Sequence, residues 1–310
     1  MPVSVSPPYF PGLLRRYMGE EMRVNIVRAT ALQGGVCTWR DYDPAPGGPA
    51  KDPFLLVFPA FTGLGLLEGI EQAQSWQAVL DLARRATDLE GRLVETARDL
   101  AVRTGAVVVP GSVILPAGDG FVHRSYVVSA GGVLGRQDQT HAGAFERAWP
   151  LVPASRLEPV KTPVGWLGIL LGADAFYPEA ARILSLQGAD ILCVPTAIPA
   201  PYNQWRQIPG VWAQVQQNQV YAVEACLVGR LGGSEWAGVS AVHGPVEITP
   251  GDSGYLNQAP APDRAAEVTA NLDFTALRSI RTSYPIFSFL NRPLYRRFMP
   301  GIYRGGARHE

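Results

Sequence analysis

LLGADAFYPEAARILSLQGADILCVPTA, residues Leu170–Ala197, decides the fold. Its first residues end the apolar run WLGILL (Trp166–Leu171), and DILCVP (Asp190–Pro195) supplies a second run near its end. Both are short and apolar, as buried strands are. Between them PEAARILSLQ (Pro178–Gln187) predicts a helix. Pro178 stands in its first turn, where an N–H would be unpaired anyway, and Gly188 stands just past its end. Strand, helix and strand in succession form the unit of a layered α/β sheet.

The alternation continues on both sides. Strand signals recur at Arg23–Arg28, Phe54–Phe58, Ala106–Leu115 and Phe121–Ser129, then at Gln219–Val228, Trp236–His243 and Ala266–Asp273. A helical stripe runs through Trp76, Val79, Leu80 and Ala83 and continues through Leu93, Val94, Ala97 and Leu100, the spacing of a buried helix face. A further helix is expected from Pro209 into Gln217. The Gly/Pro-rich segment Ala29–Asp52 shows neither period and reads as a long, mobile surface loop. With no linker of domain-separating length and no internal repeat, a single layered α/β domain is expected.

Composition narrows the function classes. The 310 residues are 47% hydrophobic and 17% charged, with Lys+Arg 27 against Asp+Glu 27, the profile of a chain with a large core. Phosphate affinity needs a surplus of cations, so no nucleic-acid partner is implied. Cys37, Cys193 and Cys226 are too few and scattered for a disulfide framework. The opening residues place prolines where a secretory apolar core should lie, and no apolar run is long enough to span a bilayer. A soluble, cytoplasmic protein is expected. His123, His141, His243 and His309 lack metal-ligand spacing, and there is no GxGxxG, Walker lysine or GxSxG elbow. No cofactor or metal is expected.

Three segments carry a small or polar residue at the end of an apolar strand, where α/β folds place ligands: FLLVFPA, GRQDQTHAG and LGILLGADAFYPE. Together they resemble the nitrilase, or carbon-nitrogen hydrolase, superfamily. Its corresponding segments read FPE, YRK-x-HL and ICYD-x-RFPE, the last followed by a helix and GAD-I-x-x-P. The resemblance extends in order through MRVNIVR, NQVYAVEACLVG, GVSAVHGP, VTANLDFTALRSIR and RPLY. It implies a four-layer αββα sandwich. The domain would cover residues 22–285, with an N-terminal extension at 1–21 and an Arg/aromatic tail at 286–310.

The family chemistry implied is hydrolysis of non-peptide C–N bonds. It uses a cysteine nucleophile, a glutamate that takes its proton and a lysine that stabilises the oxyanion. The matching positions here are Ala60 for the glutamate, Gln139 for the lysine and Gly172 for the cysteine. All three functional groups are missing. Losing one alone would strand a buried charge at about 3–5 kcal/mol, whereas joint loss leaves an enlarged pocket expected to be uncharged. Cys193 and Cys226 read as small buried hydrophobes.

The other candidate pocket residues are His141, Glu146, Asp174, Thr196, Tyr202 and Trp205. His141 matches the histidine two places after the family lysine and is expected to be structural. Glu146 is expected on the surface or capping a helix. Asp174 and Glu179 are expected to hold the loop and helix start, and Phe176 replaces a family arginine. Thr196, Tyr202 and Trp205 follow the GAD strand where the family lines its pocket, and ordinary packing is favoured for them. From Arg278 onward the chain has seven arginines interleaved with aromatics and Glu310 as the one acid. That vocabulary fits a dimer interface, as the resemblance implies, and PPYFPGLLRRYM is expected to be a further docking element. The leading expectation is a non-catalytic homo-oligomer that binds a small neutral ligand or a protein partner. The alternative is an amidase or acyltransferase with a rebuilt site.

Overall fold

The computed structural model describes residues 25–42, 52–143 and 146–304. The proposed extension at 1–21, the docking element within it, Arg308 and Glu310 lie outside the described residues. In chain order the strands are β1 Ile26–Gln33, β2 Phe54–Val57, β3 Val107–Val109, β4 Val113–Ala117, β5 Gly120–Ser129, β6 Gly132–Asp138 and β7 Val160–Thr162. They continue with β8 Gly165–Ile169, β9 Ile191–Ala197, β10 Tyr221–Leu227, β11 Gly229–Leu231, β12 Ser234–Trp236, β13 Ala241–His243, β14 Tyr255–Gln258 and β15 Ala266–Asp273. The helices are α1 Thr38–Asp41, α2 Trp76–Arg85, α3 Leu89–Thr104, α4 Pro178–Leu186, α5 Gln204–Gln207, α6 Val211–Asn218, α7 Phe274–Ser283 and α8 Arg292–Arg304.

One sheet has the order β15-β1-β2-β3-β5-β4 with β6 on β5, and the other has the order β14-β13-β10-β9-β8-β7. Alternation along each strand decides what lies on either side. In β2, Leu55 and Val57 face the second sheet, while Phe54 and Leu56 face α2 and α3. In β9, Ile191 and Cys193 join the core between the sheets, while Leu192 and Val194 pack with Ala181 and Leu184 of α4 and Val215 of α6. Burying each Val, Leu or Ile contributes about 1.5–3 kcal/mol, so strands apolar on both faces are stable only between two further layers. The result is the expected four-layer αββα sandwich.

β1, β2 and β3 run parallel, as do β8, β9 and β10, with helical crossovers between most of them. The carboxyl ends of β2, β8 and β9 therefore deliver Ala60, Gly172 and the segment after Thr196, the position where such sheets form ligand crevices. The turn between β3 and β4 belongs to the same region. Pro110 has no N–H to donate, and Gly111 has φ +69 with a virtual Cβ only 2.0 Å from the Pro59 carbonyl oxygen. No side chain fits there, and the turn fixes Ser112 beneath the Ala60 segment.

Several expectations need correction. Ala29–Gln33 is strand, because β1 pairs with β15 as far as Gln33, and Thr38–Asp41 is helical; residues 43–51 of the expected loop lie outside the described ones. The long helical stripe is two helices. α2 ends at Arg85, and Asp88, at φ 51, starts α3 by accepting the Gly91 N–H. The Ala106–Leu115 and Trp236–His243 runs each divide into two strands. The C-terminal segment contains α8, whose Leu294, Phe298 and Ile302 are exposed.

Candidate functional site

Asp174 is the structural centre of the crevice. It is fully buried in the turn after β8 and accepts the Leu171 N–H at 3.2 Å. From the loop after β6 it accepts the N–H groups of Thr140 at 3.0 Å and His141 at 2.8 Å, and the Thr140 hydroxyl at 2.7 Å. One carboxylate thus clamps the two loops that carry Gln139 and Gly172. His141 Nδ1 lies 2.8 Å from Thr140 Oγ1 and 3.2 Å from Asp174 Oδ1, and its ring stacks on Tyr177 at 3.9 Å. These bonds tie both side chains into the loops around the crevice. Glu179, in the first turn of α4, accepts the Tyr303 hydroxyl of α8.

Gln139 is buried and its amide is saturated. Its Oε1 lies 2.6 Å from His123 Nδ1, while Nε2 donates to the His141 carbonyl at 2.8 Å and to Glu146 Oε1 at 3.2 Å. His123 Nε2 lies 2.6 Å from Ser112 Oγ, which accepts the Phe61 N–H at 2.8 Å. For the neutral ring, which burial favours, only one proton arrangement fits this chain. Gln139 Oε1 can only accept, so Nδ1 carries the His123 proton and Nε2 accepts the Ser112 hydroxyl. The relay runs from the residue after Ala60 to Glu146 without an ionised base inside it.

Burial holds His123 below its ordinary pKa, although its bond to Gln139 and the charge of Glu146 act the other way. A depressed folded-state value means that the unfolded chain binds a proton the native chain refuses. Stability is then complete above about pH 6.5 and falls as pH drops below it, by at most about 1.4 kcal/mol per unit from this residue. Urea unfolding at pH 7.5 and 5.5 is expected to show a smaller loss in His123→Asn than in the native chain. An equal loss would place the titration elsewhere.

Glu146 corrects an expectation. It is 6% exposed, neither a surface residue nor a helix cap, and its second oxygen accepts the Gly143 N–H at 2.9 Å. Gly172 lies beside it at φ +47, and a Cβ there would stand 3.5 Å from Glu146 Oε1 and 3.9 Å from Gln139 Nε2. Glu146 and Asp174 thus bring two buried carboxyl groups to a crevice expected to be uncharged.

The structure therefore unites Gln139, Glu146 and Gly172, with Asp174 and His141 bracing them and the fully buried Ala60 leading into the relay. Thr196 is buried on β9 and donates to the Val194 carbonyl. Burial, aided by Cys226 and Glu224, pushes the Tyr202 hydroxyl up to about 12. Trp205 does not pack in a core. It is 71% exposed, because the Asn203 cap starts α5 with that side chain outward. Burial pushes the Cys193 and Cys226 thiols well up, as small core residues require. Among the described residues no His, Cys, Asp and Glu converge on a metal position.

Ser112 and His123 were not anticipated. The signal lay in β5, where His123 alternates with the buried Phe121 and Ser125 and so belongs to the inward face.

Residues 54–249, more than half of the chain, match the model of the Carbon-nitrogen hydrolase family. The chain belongs to the carbon-nitrogen hydrolase family. This family member is 29% identical over 171 residues to a nitrilase of Pyrococcus abyssi, a match covering 54% of the chain and 62% of that protein. It is 32% identical over 147 residues to an N-carbamoylputrescine amidase of Arabidopsis thaliana, covering 44% of the chain and 48% of the relative. The chain thus spans less than two thirds of either relative. The crystal structure of a carbon-nitrogen hydrolase from Helicobacter pylori superposes with TM-score 0.65 at 20% identity, covering 88% of this chain and 97% of that one. That likeness carries the fold, and the family and architecture expected from the sequence both hold.

Proposed function

We propose that this member of the carbon-nitrogen hydrolase family is a pseudoenzyme, which keeps the crevice for binding and has lost the thiol chemistry. One observation carries the reading: at the position matching the nucleophile there is only the α-carbon of Gly172, with Glu146 Oε1 3.5 Å from where a Cβ would begin. Acyl transfer needs an attacking lone pair and a donor for the oxyanion. Here both Gln139 amide hydrogens are already engaged, and among the described residues the Glu146 side chain bonds only to two N–H donors, neither of them a base or a nucleophile. Losing a nucleophile lowers turnover by several orders of magnitude.

In the same reading the chains pair. The arginines of α8 and its exposed Leu294, Phe298 and Ile302 suit a protein interface covered by a second copy.

The test is an ammonia-release assay on a broad panel of amides and nitriles, with the purified chain at high concentration. No turnover above the buffer rate is expected. Robust turnover that disappears in His141→Ala or Glu146→Ala would replace this proposal with a rebuilt hydrolase.

A further inference from the structure

Glu146 poses a charge problem that the pseudoenzyme leaves unsolved. Its side chain is more than nine-tenths buried, and its bonds come from an amide side chain and a backbone N–H, both neutral. Both oxygens accept, the pattern of an ionised carboxyl group. Among the described residues no Lys or Arg lies in ion-pair reach of it. Gln139, at the position of the family lysine, supplies a dipole in place of a cation. His123, behind Gln139, is pushed toward its neutral form by burial, against the pull of its bond to Gln139. Asp174 places a second buried carboxylate below, braced by the N–H groups of Thr140, His141 and Leu171.

The space beside Glu146 has a defined chemistry. A Cβ at Gly172 would meet Glu146 Oε1 first, at 3.5 Å, and Gln139 Nε2 next, at 3.9 Å, ordinary contact distances, so a group placed there touches the carboxylate without a clash. Gln139 has no hydrogen left to offer, because Nε2 serves the His141 carbonyl and Glu146. Of the two side-chain atoms nearest that position, one is a carboxylate oxygen and the other an amide nitrogen whose hydrogens are both in use. A ligand carboxylate would be repelled there, and an uncharged group would leave Glu146 uncompensated.

We propose that this crevice binds the primary ammonium group of a small organic ligand, which docks beside Gly172 and pairs with Glu146 in place of the absent lysine. The inference rests on the binding-protein reading above and names its ligand class. It replaces the small neutral ligand expected from the sequence, since that expectation assumed an uncharged pocket.

The probes are n-propylammonium chloride, 1-propanol and sodium propionate, titrated at constant ionic strength and followed by calorimetry and ligand-observed NMR. A ligand of four heavy atoms binds at best in roughly the tens-of-micromolar range and more commonly at millimolar concentration. The ammonium ion is expected to bind at least about tenfold more tightly than the alcohol, and the propionate not to bind. Gln139→Lys places an ammonium group of the protein beside Glu146 and should abolish propylammonium binding while the chain stays folded by circular dichroism. Glu146→Gln should remove the preference for the cation over the alcohol. If Glu146→Gln does not fold, Gln139→Lys decides alone. Equal binding of alcohol and ammonium, no binding of the ammonium ion, or a preference that survives Gln139→Lys overturns the inference. None of these results touches the pseudoenzyme reading, which falls only to turnover in the amide and nitrile assay.

Discussion

Asp174→Ala is expected to lower the free energy of unfolding by about 3–5 kcal/mol, read from the urea midpoint with an unchanged slope. The argument counts what is stranded. Leu171, Thr140 and His141 each lose the acceptor of a backbone N–H, and the Thr140 hydroxyl loses another. A buried donor left without an acceptor costs about 1–3 kcal/mol, and the half-buried loop regains part of that through water. Domains are stable by only about 5–15 kcal/mol, so the loss is a large fraction of the whole. Asp174→Asn keeps one accepting oxygen and turns an NH2 toward donors, so about half the effect is expected. A midpoint unchanged by the alanine variant would mean that the loops are held by other contacts.

The second large effect concerns chemistry at Gly172. In a Cys37→Ser background, Gly172→Cys puts a thiol at φ +47, which a non-glycine residue tolerates at about 1–2 kcal/mol. Its nearest neighbours are the oxygen of Glu146 and the nitrogen of Gln139, so the side chain fits, but the adjacent carboxylate opposes thiolate formation. Slow alkylation by iodoacetamide is expected. Adding Gln139→Lys brings a cation to the thiol and should raise the labelling rate about 10- to 100-fold at pH 7.5, and Ala60→Glu would complete the family set. Cys193 and Cys226 stay silent, since burial pushes both thiols up. Equal rates with and without the lysine would show that the crevice no longer directs position 139 toward position 172.

The layers and the loop ends were legible because local signals and burial agreed. Pro178 and Gly188 bracket α4 in the sequence as in the structure, and the apolar run at Asp190–Pro195 became β9. Glu146 was misjudged because its burial depends on Gln139 and Gly172, which approach it only once β6 and β8 are in place. The Gln139 contact is local, but the approach of Gly172 lies in no short window of sequence. Glu146 and Asp174 were named as pocket candidates, but the expectation of an uncharged pocket considered only the three family positions. Trp205 was placed by its position after the GAD strand, whereas its side chain is exposed at the start of α5, where Asn203 caps the backbone. The extent of β1 reflects a similar limit: pairing with β15, more than 230 residues away, carries the strand to Gln33 through a segment with weak local preference.

The Asp174 clamp makes the rim of the crevice one mechanical body. Because a single carboxylate holds both loop ends, the turn at Gly172 cannot shift without dragging His141 and the Tyr177 ring stacked on it. Events at the concealed floor are thereby reported at a half-exposed aromatic pair near the surface.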